Sequence, residues 1–280
     1  MTRLVTWNCC RGTYAKKGSL LAALKPDVSV IQECGKPDSE SDTSLWFGDN
    51  PRQGIAVQAA PPYQLQRLPT LEGVPKYIVP ISVTGPLSFT MLAVWSKNNA
   101  KYRYVEAVTK AVDMYRELVA AGPKVLIGDL NSNLIWDSTH PKDLNHSALV
   151  ALLRSLGLVS AYHGYHSEAH GCETRPTYYF QWNEQRTYHI DYCFVPEAWM
   201  KNVRQVDIGT YEDWKQYSDH RPLLVDIADH CLGRLSTLPR PPKATYRWQT
   251  SPTATVSQTG PIRRYRRSQP ACTWCGRATG

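Results

Sequence analysis

Lys124-Val125-Leu126-Ile127-Gly128-Asp129-Leu130-Asn131 joins an apolar run to a carboxylate and, two residues later, an amide. Val125–Gly128 is a short apolar run that reads as a buried strand. A carboxylate at the end of such a strand is costly unless hydrogen bonds or a metal satisfy it. Four further segments repeat this grammar: Thr6-Trp7-Asn8, Ile31-Gln32-Glu33, His189-Ile190-Asp191-Tyr192 and Ser218-Asp219-His220. Each has an ordinary structural reading when taken singly. Asn8 could cap a turn, Asp191 could be a buried ion-pair partner, and His220, before Arg221-Pro222, could be a loop residue. All five together, drawn from the hard-ligand and acid–base vocabulary, point to one assembled site.

Around these segments the apolar runs Leu4–Trp7, Val28–Gln32, Gly54–Val57, Tyr77–Val83, Phe89–Trp95, Val125–Gly128, Ile190–Val195 and Leu223–Ile227 read as strands. Several end at Gly, Asn or Pro, the usual marks of a following loop. Three helices are expected. Lys17–Leu24 is stopped by Pro26, and Tyr104–Val119 carries one apolar face at helical spacing. His146–Leu156 has Asn145 as N-cap and Gly157 just beyond its end. Many strands, few helices and uneven connections predict stacked sheets with outer helices rather than a regularly alternating βα fold.

In order and spacing, the five segments resemble the endonuclease/exonuclease/phosphatase superfamily. Its members include apurinic endonucleases, pancreatic-type deoxyribonucleases, neutral sphingomyelinases and inositol polyphosphate phosphatases. The resemblance runs from Thr6 to about Ile227. It implies an α/β fold of two packed mixed β-sheets flanked by helices, a four-layer sandwich. It also implies a phosphoesterase dependent on Mg²⁺ or Mn²⁺. Glu33 would be the main metal ligand, with Asn8 beside it and Asp219 contributing. All-oxygen ligands suit a hard cation that keeps several waters. Asp129 would orient or deprotonate the attacking water, and Asn131 would hold a phosphate oxygen. His220, its tautomer fixed by Asp191, would donate a hydrogen bond to the charge developing on phosphorus. Two positions depart from the pattern. Cys10 stands where apurinic nucleases carry an acidic residue, and Leu92-Ala93-Val94-Trp95 ends in Trp rather than Tyr or His. Phosphate contacts made there in relatives would pass to Lys97, Asn98 or Arg103, or be absent.

The charge is unevenly spread. The chain has 280 residues and a net charge of +8. Residues 233–280 hold 9 of its 32 Lys+Arg and no acidic residue, leaving 23 against 24 Asp+Glu in residues 1–232. A catalytic domain over 1–232 and a basic, Pro-rich disordered tail over 233–280 are therefore expected. Duplex binding draws on Lys and Arg neutralising phosphates, so a nearly neutral body does not read as a DNA-coating surface. Arg263, Arg264, Arg266 and Arg267 in the tail could contact nucleic acid, and Cys272-Thr273-Trp274-Cys275 is half of a zinc knuckle.

The expected substrate is a phosphodiester, foremost nucleic acid, with Asn131, Tyr178 and Arg103 as contacts. The alternatives are a small or lipid-head-group phosphoester, or an inactive binding module that keeps the fold. Pro176-Thr177-Tyr178-Tyr179-Phe180 offers aromatic faces that could stack a base or could fill a core. Tyr162-His163-Gly164-Tyr165-His166, with His170 and Cys172, contains zinc-type donors at no standard spacing. A substrate-facing loop is the stronger expectation there. Cys9, Cys10, Cys34 and Cys193, in or just after apolar runs, read as reduced thiols. No apolar run approaches a membrane span and no signal peptide is evident, so a cytoplasmic monomer is the default expectation.

Overall fold

The computed structural model describes residues 1–228, so the expected tail and its Cys272 and Cys275 lie outside the described residues. The strands are β1 (Thr2–Asn8), β2 (Val28–Cys34), β3 (Ser44–Asn50), β4 (Gln53–Ala59), β5 (Gln64–Arg67), β6 (Ile78–Thr84) and β7 (Phe89–Trp95). They continue as β8 (Lys124–Asp129), β9 (Leu158–Ser160), β10 (Tyr178–Tyr179), β11 (Thr187–Tyr188), β12 (Asp191–Pro196), β13 (Val203–Ile208) and β14 (Leu223–Ile227). One six-stranded sheet runs β13-β14-β1-β2-β4-β3 and a second runs β5-β6-β7-β8-β12-β9, while β10 and β11 form a small separate hairpin. Each large sheet contains one parallel pair, β1 with β2 and β7 with β8, among antiparallel neighbours. The expected two mixed sheets flanked by helices are therefore present.

Side-chain alternation explains why the strands read as unbroken apolar runs. Leu4, Val30, Ile127 and Cys193 face the core between the sheets. Val5 and Ile31, one residue on from Leu4 and Val30, face outward with Trp7, Leu21 and Trp214 under the helix Tyr14–Ala22. On the other sheet Leu126, Tyr192 and Phe194 pack beneath Val108, Val112, Leu149 and Leu153 of the outer helices. Both faces of each central strand are thus covered, and a period of two puts successive residues into different apolar layers.

One helix matches its sequence signal closely. His146–Ser155 is capped by the Asn145 side chain, which accepts from Ala148 N at 2.9 Å. The expected Tyr104–Val119 helix is broken in two, Val105–Met114 and Arg116–Ala120, at Tyr115. Tyr115 leaves helical geometry (φ −85°, ψ 9°) and is buried in the outer apolar layer.

Gly128 shows how closely the sheet is packed. Its φ is +145°, and a Cβ there would lie 1.9 Å from the carbonyl oxygen of Val94 on the neighbouring strand. Only glycine allows β8 to approach β7 this closely just before Asp129. Among the described residues, no helix is long and apolar enough to cross a membrane.

Candidate active site

The topology gathers the five segments. Parallel β1 and β2 end at Asn8 and Glu33 on one sheet, and β8 ends at Asp129 on the other. Antiparallel β12 begins at Asp191, directly opposite Asp129 in register. His220 comes three residues before β14, which runs antiparallel to β1. Strand ends and strand starts therefore meet along one rim of the two-sheet stack.

Asp129 is fully buried and saturated with donors. Asn8 Nδ2 and Asn131 Nδ2 each lie 2.9 Å from Asp129 Oδ2, and Asn131 N donates to Oδ1 at 2.8 Å. Burial, followed by the neighbouring charge of Asp191, pushes this carboxyl up to about 7 despite those hydrogen bonds. His220 Nδ1 lies 2.8 Å from Asp191 Oδ2. Burial pulls the imidazole down, but the charge and hydrogen bond of Asp191 outweigh it and raise His220 to about 9. At neutral pH the imidazole is therefore a cation. Asp129, Asp191 and His220 each offer one ligand-type atom within 4.8 Å of the others.

Glu33 is the more open carboxylate. Gln53 Nε2 donates to it at 3.0 Å and Asn8 Nδ2 at 3.3 Å, with Arg11 Nε 4.0 Å away. A break in the β2–β4 register between Ile31 and Cys34 accompanies a left-handed backbone at Glu33 (φ 58°). Irregularities of this kind turn a side chain out of a sheet. Cys10, Arg11 and Asn131 also have positive φ, at 49°, 69° and 46°. Non-glycine residues held in this region cost roughly 1–3 kcal/mol each, and they concentrate where function over-determines the backbone.

Cys10 borders both remaining carboxylates. Burial, then the charge of Asp219 and more weakly that of Glu33, push its thiol up to about 11. The two half-exposed carboxylates thus share one neighbourhood, and their oxygens suit a hard divalent cation. Asn8 presents its nitrogen toward Glu33 and Asp129, because its Oδ1 accepts from Cys10 N at 3.0 Å. It bridges the carboxylates as a donor in this arrangement.

Tyr178 is half-buried, and its ring lies 4.5 Å from that of His220, tilted by 38°. Arg103 is tied down elsewhere, donating to the Thr139 carbonyl at 2.6 Å and to Glu106 at 3.3 Å. Lys97 Nζ sits 4.1 Å over the Trp95 ring. The stretch expected to face substrate around His163 is instead substantially buried, with Tyr162 and His163 packed inward and only Gly164 and Tyr165 exposed between them and His166. Cys9, Cys34 and Cys193 are buried and Cys10 is partly so, none of them in a disulfide.

Several positioning residues carried no sequence signal. Ser218 Oγ donates to the Asn8 carbonyl at 2.7 Å and accepts from His220 N at 2.9 Å, linking the end of β1 to the imidazole. Thr177 Oγ1 accepts from both Ile190 N and Asp191 N at 3.0 Å, while its carbonyl accepts from Arg221 N at 2.7 Å. Ser and Thr in loops are too common for their residue type to mark them.

No family model and no curated protein matches the sequence. Solved structures do. The 3'-5' exonuclease NExo from Neisseria meningitidis is similar at 20% identity and a TM-score of 0.59, covering 81% of this chain and 99% of its own. The endonuclease domain of a telomere-specific non-LTR retrotransposon is similar at 16% identity and a TM-score of 0.57, with coverage of 81% and 97%. An AP endonuclease from Archaeoglobus fulgidus is likewise similar at 16% and 0.57, with 81% and 99% covered. At these identities the likeness is one of fold, and it spans nearly all the described residues. The two packed sheets and their order give this chain the fold shared by these nuclease structures.

Proposed function

We propose that the protein is a divalent-metal-dependent hydrolase of phosphate esters, acting on a nucleic-acid phosphodiester. The observation that carries this reading is the buried pair Asp129 and Asp191, opposite each other across β8 and β12 and held by different partners. One is gripped by two side-chain amides and the other by a cationic imidazole. A carboxyl raised toward neutrality beside an oriented, charged imidazole supplies the groups that acid–base chemistry requires.

Glu33 and Asp219 would hold Mg²⁺ or Mn²⁺, with Asn8 alongside. When bound, the ion supplies charge that offsets the negative charge of the phosphate. Asp129, with a carboxyl titrating near neutrality, accepts the proton of the attacking water. Asn131 and Asn8 fix its oxygens so that the water is aimed rather than merely bound. Water oxygen attacks phosphorus, its proton passes to Asp129, and the opposite ester P–O bond breaks, the leaving oxygen taking a proton from solvent to depart as an alcohol. His220, charged and oriented by Asp191, donates a hydrogen bond to a non-bridging phosphoryl oxygen as charge accumulates there. Tyr178 covers the imidazole face and helps hold the ring in place.

The chain's own features favour a polymer over a small ester. Next to His220, β10 and β11 carry Tyr178 and Tyr188, and the turn between them exposes Trp182 and stacks Arg186 on Phe180 at 4.4 Å. Aromatic and guanidinium faces of this kind stack bases. One similar structure is a Neisseria 3' phosphatase bound to product DNA hairpin, which is consistent with that reading. The nearly neutral body favours the second reading, a small or lipid-head-group phosphodiester.

With a chromogenic phosphodiester and Mg²⁺, Asp129→Ala and His220→Ala should each lower kcat by at least about 100-fold, with circular dichroism unchanged. Wild-type turnover by either folded variant would refute the assignment.

A further inference from the structure

Two segments that border the hydrolytic residues leave large apolar side chains in solvent. Leu134 and Ile135 are 39% and 38% exposed in the short helical segment Leu134–Thr139, which follows closely on Asn131. Trp182 is 48% exposed in the turn between β10 and β11. Half-buried rings of the same segments, Trp136, Tyr188 and Tyr178, touch one another. We propose that Trp136 and Tyr188, joined to His220 through Tyr178, form a stacking track for the unpaired bases of a single strand. The protein then takes single-stranded nucleic acid in preference to duplex, a substrate class that rests on the phosphodiesterase reading above and narrows it.

The rings follow one another at short range. Between centroids, Tyr178 lies 4.5 Å from His220, Tyr188 lies 6.3 Å from Tyr178, and Trp136 lies 5.0 Å from Tyr188. Tyr178 and Tyr188 are direct partners across β10 and β11, so both stand on one face of the hairpin. Tyr179, on the opposite face, is the ring that fills the body. It is 9% exposed and packs on Arg221 at 4.4 Å and on Tyr211 at 4.6 Å. A period of two thus separates one core aromatic from a half-open pair.

The track is anchored to the reacting groups. Tyr179 N donates to the Asp219 carbonyl at 2.8 Å and Arg221 N to the Thr177 carbonyl at 2.7 Å, which fixes the hairpin beside His220. Asn133 does the same for Trp136. Its Oδ1 accepts from Ile135 N at 3.1 Å, and its carbonyl accepts from Trp136 N at 3.1 Å. Its Nδ2 donates to the His189 carbonyl at 3.0 Å, just before Asp191. Rings fixed in advance lose little freedom when a base arrives.

Charge argues for a single strand. A duplex hides the faces of its bases and is held through Lys and Arg on its phosphates. Residues 1–232 hold 23 Lys+Arg against 24 Asp+Glu, so the body has no excess of cations for that task. An unpaired base presents its face to an aromatic ring whatever its sequence. The guanidinium of Arg186 on the same hairpin is itself stacked, 4.4 Å over Phe180, whose ring lies 6.2 Å from Tyr178.

Binding in EDTA tests the track without any turnover. Fluorescence anisotropy with the full chain would compare labelled single strands of about 12 nucleotides, of DNA and of RNA, with a duplex of equal length and an abasic single strand. About 0.3 M salt weakens the phosphate contacts, including those of the basic tail, which is the same in every protein compared. The wild type should bind the better of the two strands with bases about tenfold or more tightly than the duplex or the abasic strand. Trp136→Ala and Tyr188→Ala should each lose about tenfold on that strand and little on the abasic one, and Trp136→Phe should retain most of the affinity. Should an alanine variant fail to fold, the abasic comparison in the wild type decides. Equal affinity for strands with and without bases, a duplex bound as tightly as the single strand, or alanine variants that bind like wild type would overturn the proposal. Trp136-dependent binding to sphingomyelin vesicles in place of the strand would also overturn it, by assigning the same face to lipid. No step here requires hydrolysis, so failure leaves the phosphodiesterase reading to be judged on the chromogenic ester.

Discussion

Asp191→Asn isolates the feature that sets His220 apart from an ordinary buried histidine. The substitution keeps the shape of the side chain that meets His220 Nδ1 at 2.8 Å and removes only its charge. Asp191 carries the imidazole from its usual 6.5 to about 9 against the opposing effect of burial, an interaction on the order of 3 kcal/mol. The sign is clear. A raised base is charged at every pH below its folded value, so wild-type His220 stays protonated until pH approaches 9. Without Asp191 the largest upward influence is lost, and the ring falls back to about its usual 6.5. At pH 8 its charged fraction then drops about thirtyfold, whereas at pH 6 it falls by less than about twofold. The acidic limb moves in the same direction, because Asp191 helps raise Asp129. The assay is kcat/KM for a phosphodiester between pH 5.5 and 9. The ratio of wild type to variant should climb by about twentyfold from pH 6 to pH 8. A ratio that stays flat across that range would refute the role given to His220, even if the variant were slow.

Two further predictions concern the scaffold. Gly128→Ala should destabilise the fold by about 3 kcal/mol or more, because its Cβ would meet a backbone oxygen at 1.9 Å and its φ is +145°; urea midpoints measure this, and a shift below about 0.5 kcal/mol would contradict the close approach. Thr177→Val leaves two buried N–H groups, those of Ile190 and Asp191, without their acceptor, which costs about 2–4 kcal/mol and lowers kcat by loosening Asp191. Thermal unfolding and turnover of that variant should fall together, and unaltered turnover would remove Thr177 from the positioning set.

How much was legible follows the burial of each element. The eight strands expected from the sequence are the eight interior strands of the two large sheets. Their residues fall into apolar layers on both faces, which writes an unbroken apolar run into the chain. The four large-sheet strands without a clear signal, β3, β5, β9 and β13, are the four sheet edges. β5 reads Gln64-Leu65-Gln66-Arg67, with only Leu65 buried, and polar edges of this kind discourage pairing with other chains. The site residues Asn8, Glu33, Asp129, Asp191 and His220 were legible because each interrupts or borders an apolar run. Tyr178 was named for stacking a base, and its ring lies tilted against that of His220 at 4.5 Å. Arg103 was named for phosphate, while its guanidinium is engaged by Glu106 and Thr139. The cluster of His146, His163, His170 and Glu173 was only half visible. His163 and His170 drew notice, but Glu173 was passed over, and His146 lies 17 residues before His163 with no spacing rule to link them. Only the fold brings these side chains together.

The central claim is tested most directly by metal-dependent hydrolysis across single- and double-stranded DNA, abasic DNA, RNA, a nitrophenyl phosphodiester, inositol phosphates and sphingomyelin. Each would be run with Mg²⁺, Mn²⁺ or EDTA, and with Glu33→Ala as control. The account predicts cleavage of a nucleic acid that requires the metal, disappears in EDTA and is lost in Glu33→Ala. Equal cleavage in EDTA, or by Glu33→Ala, would contradict it.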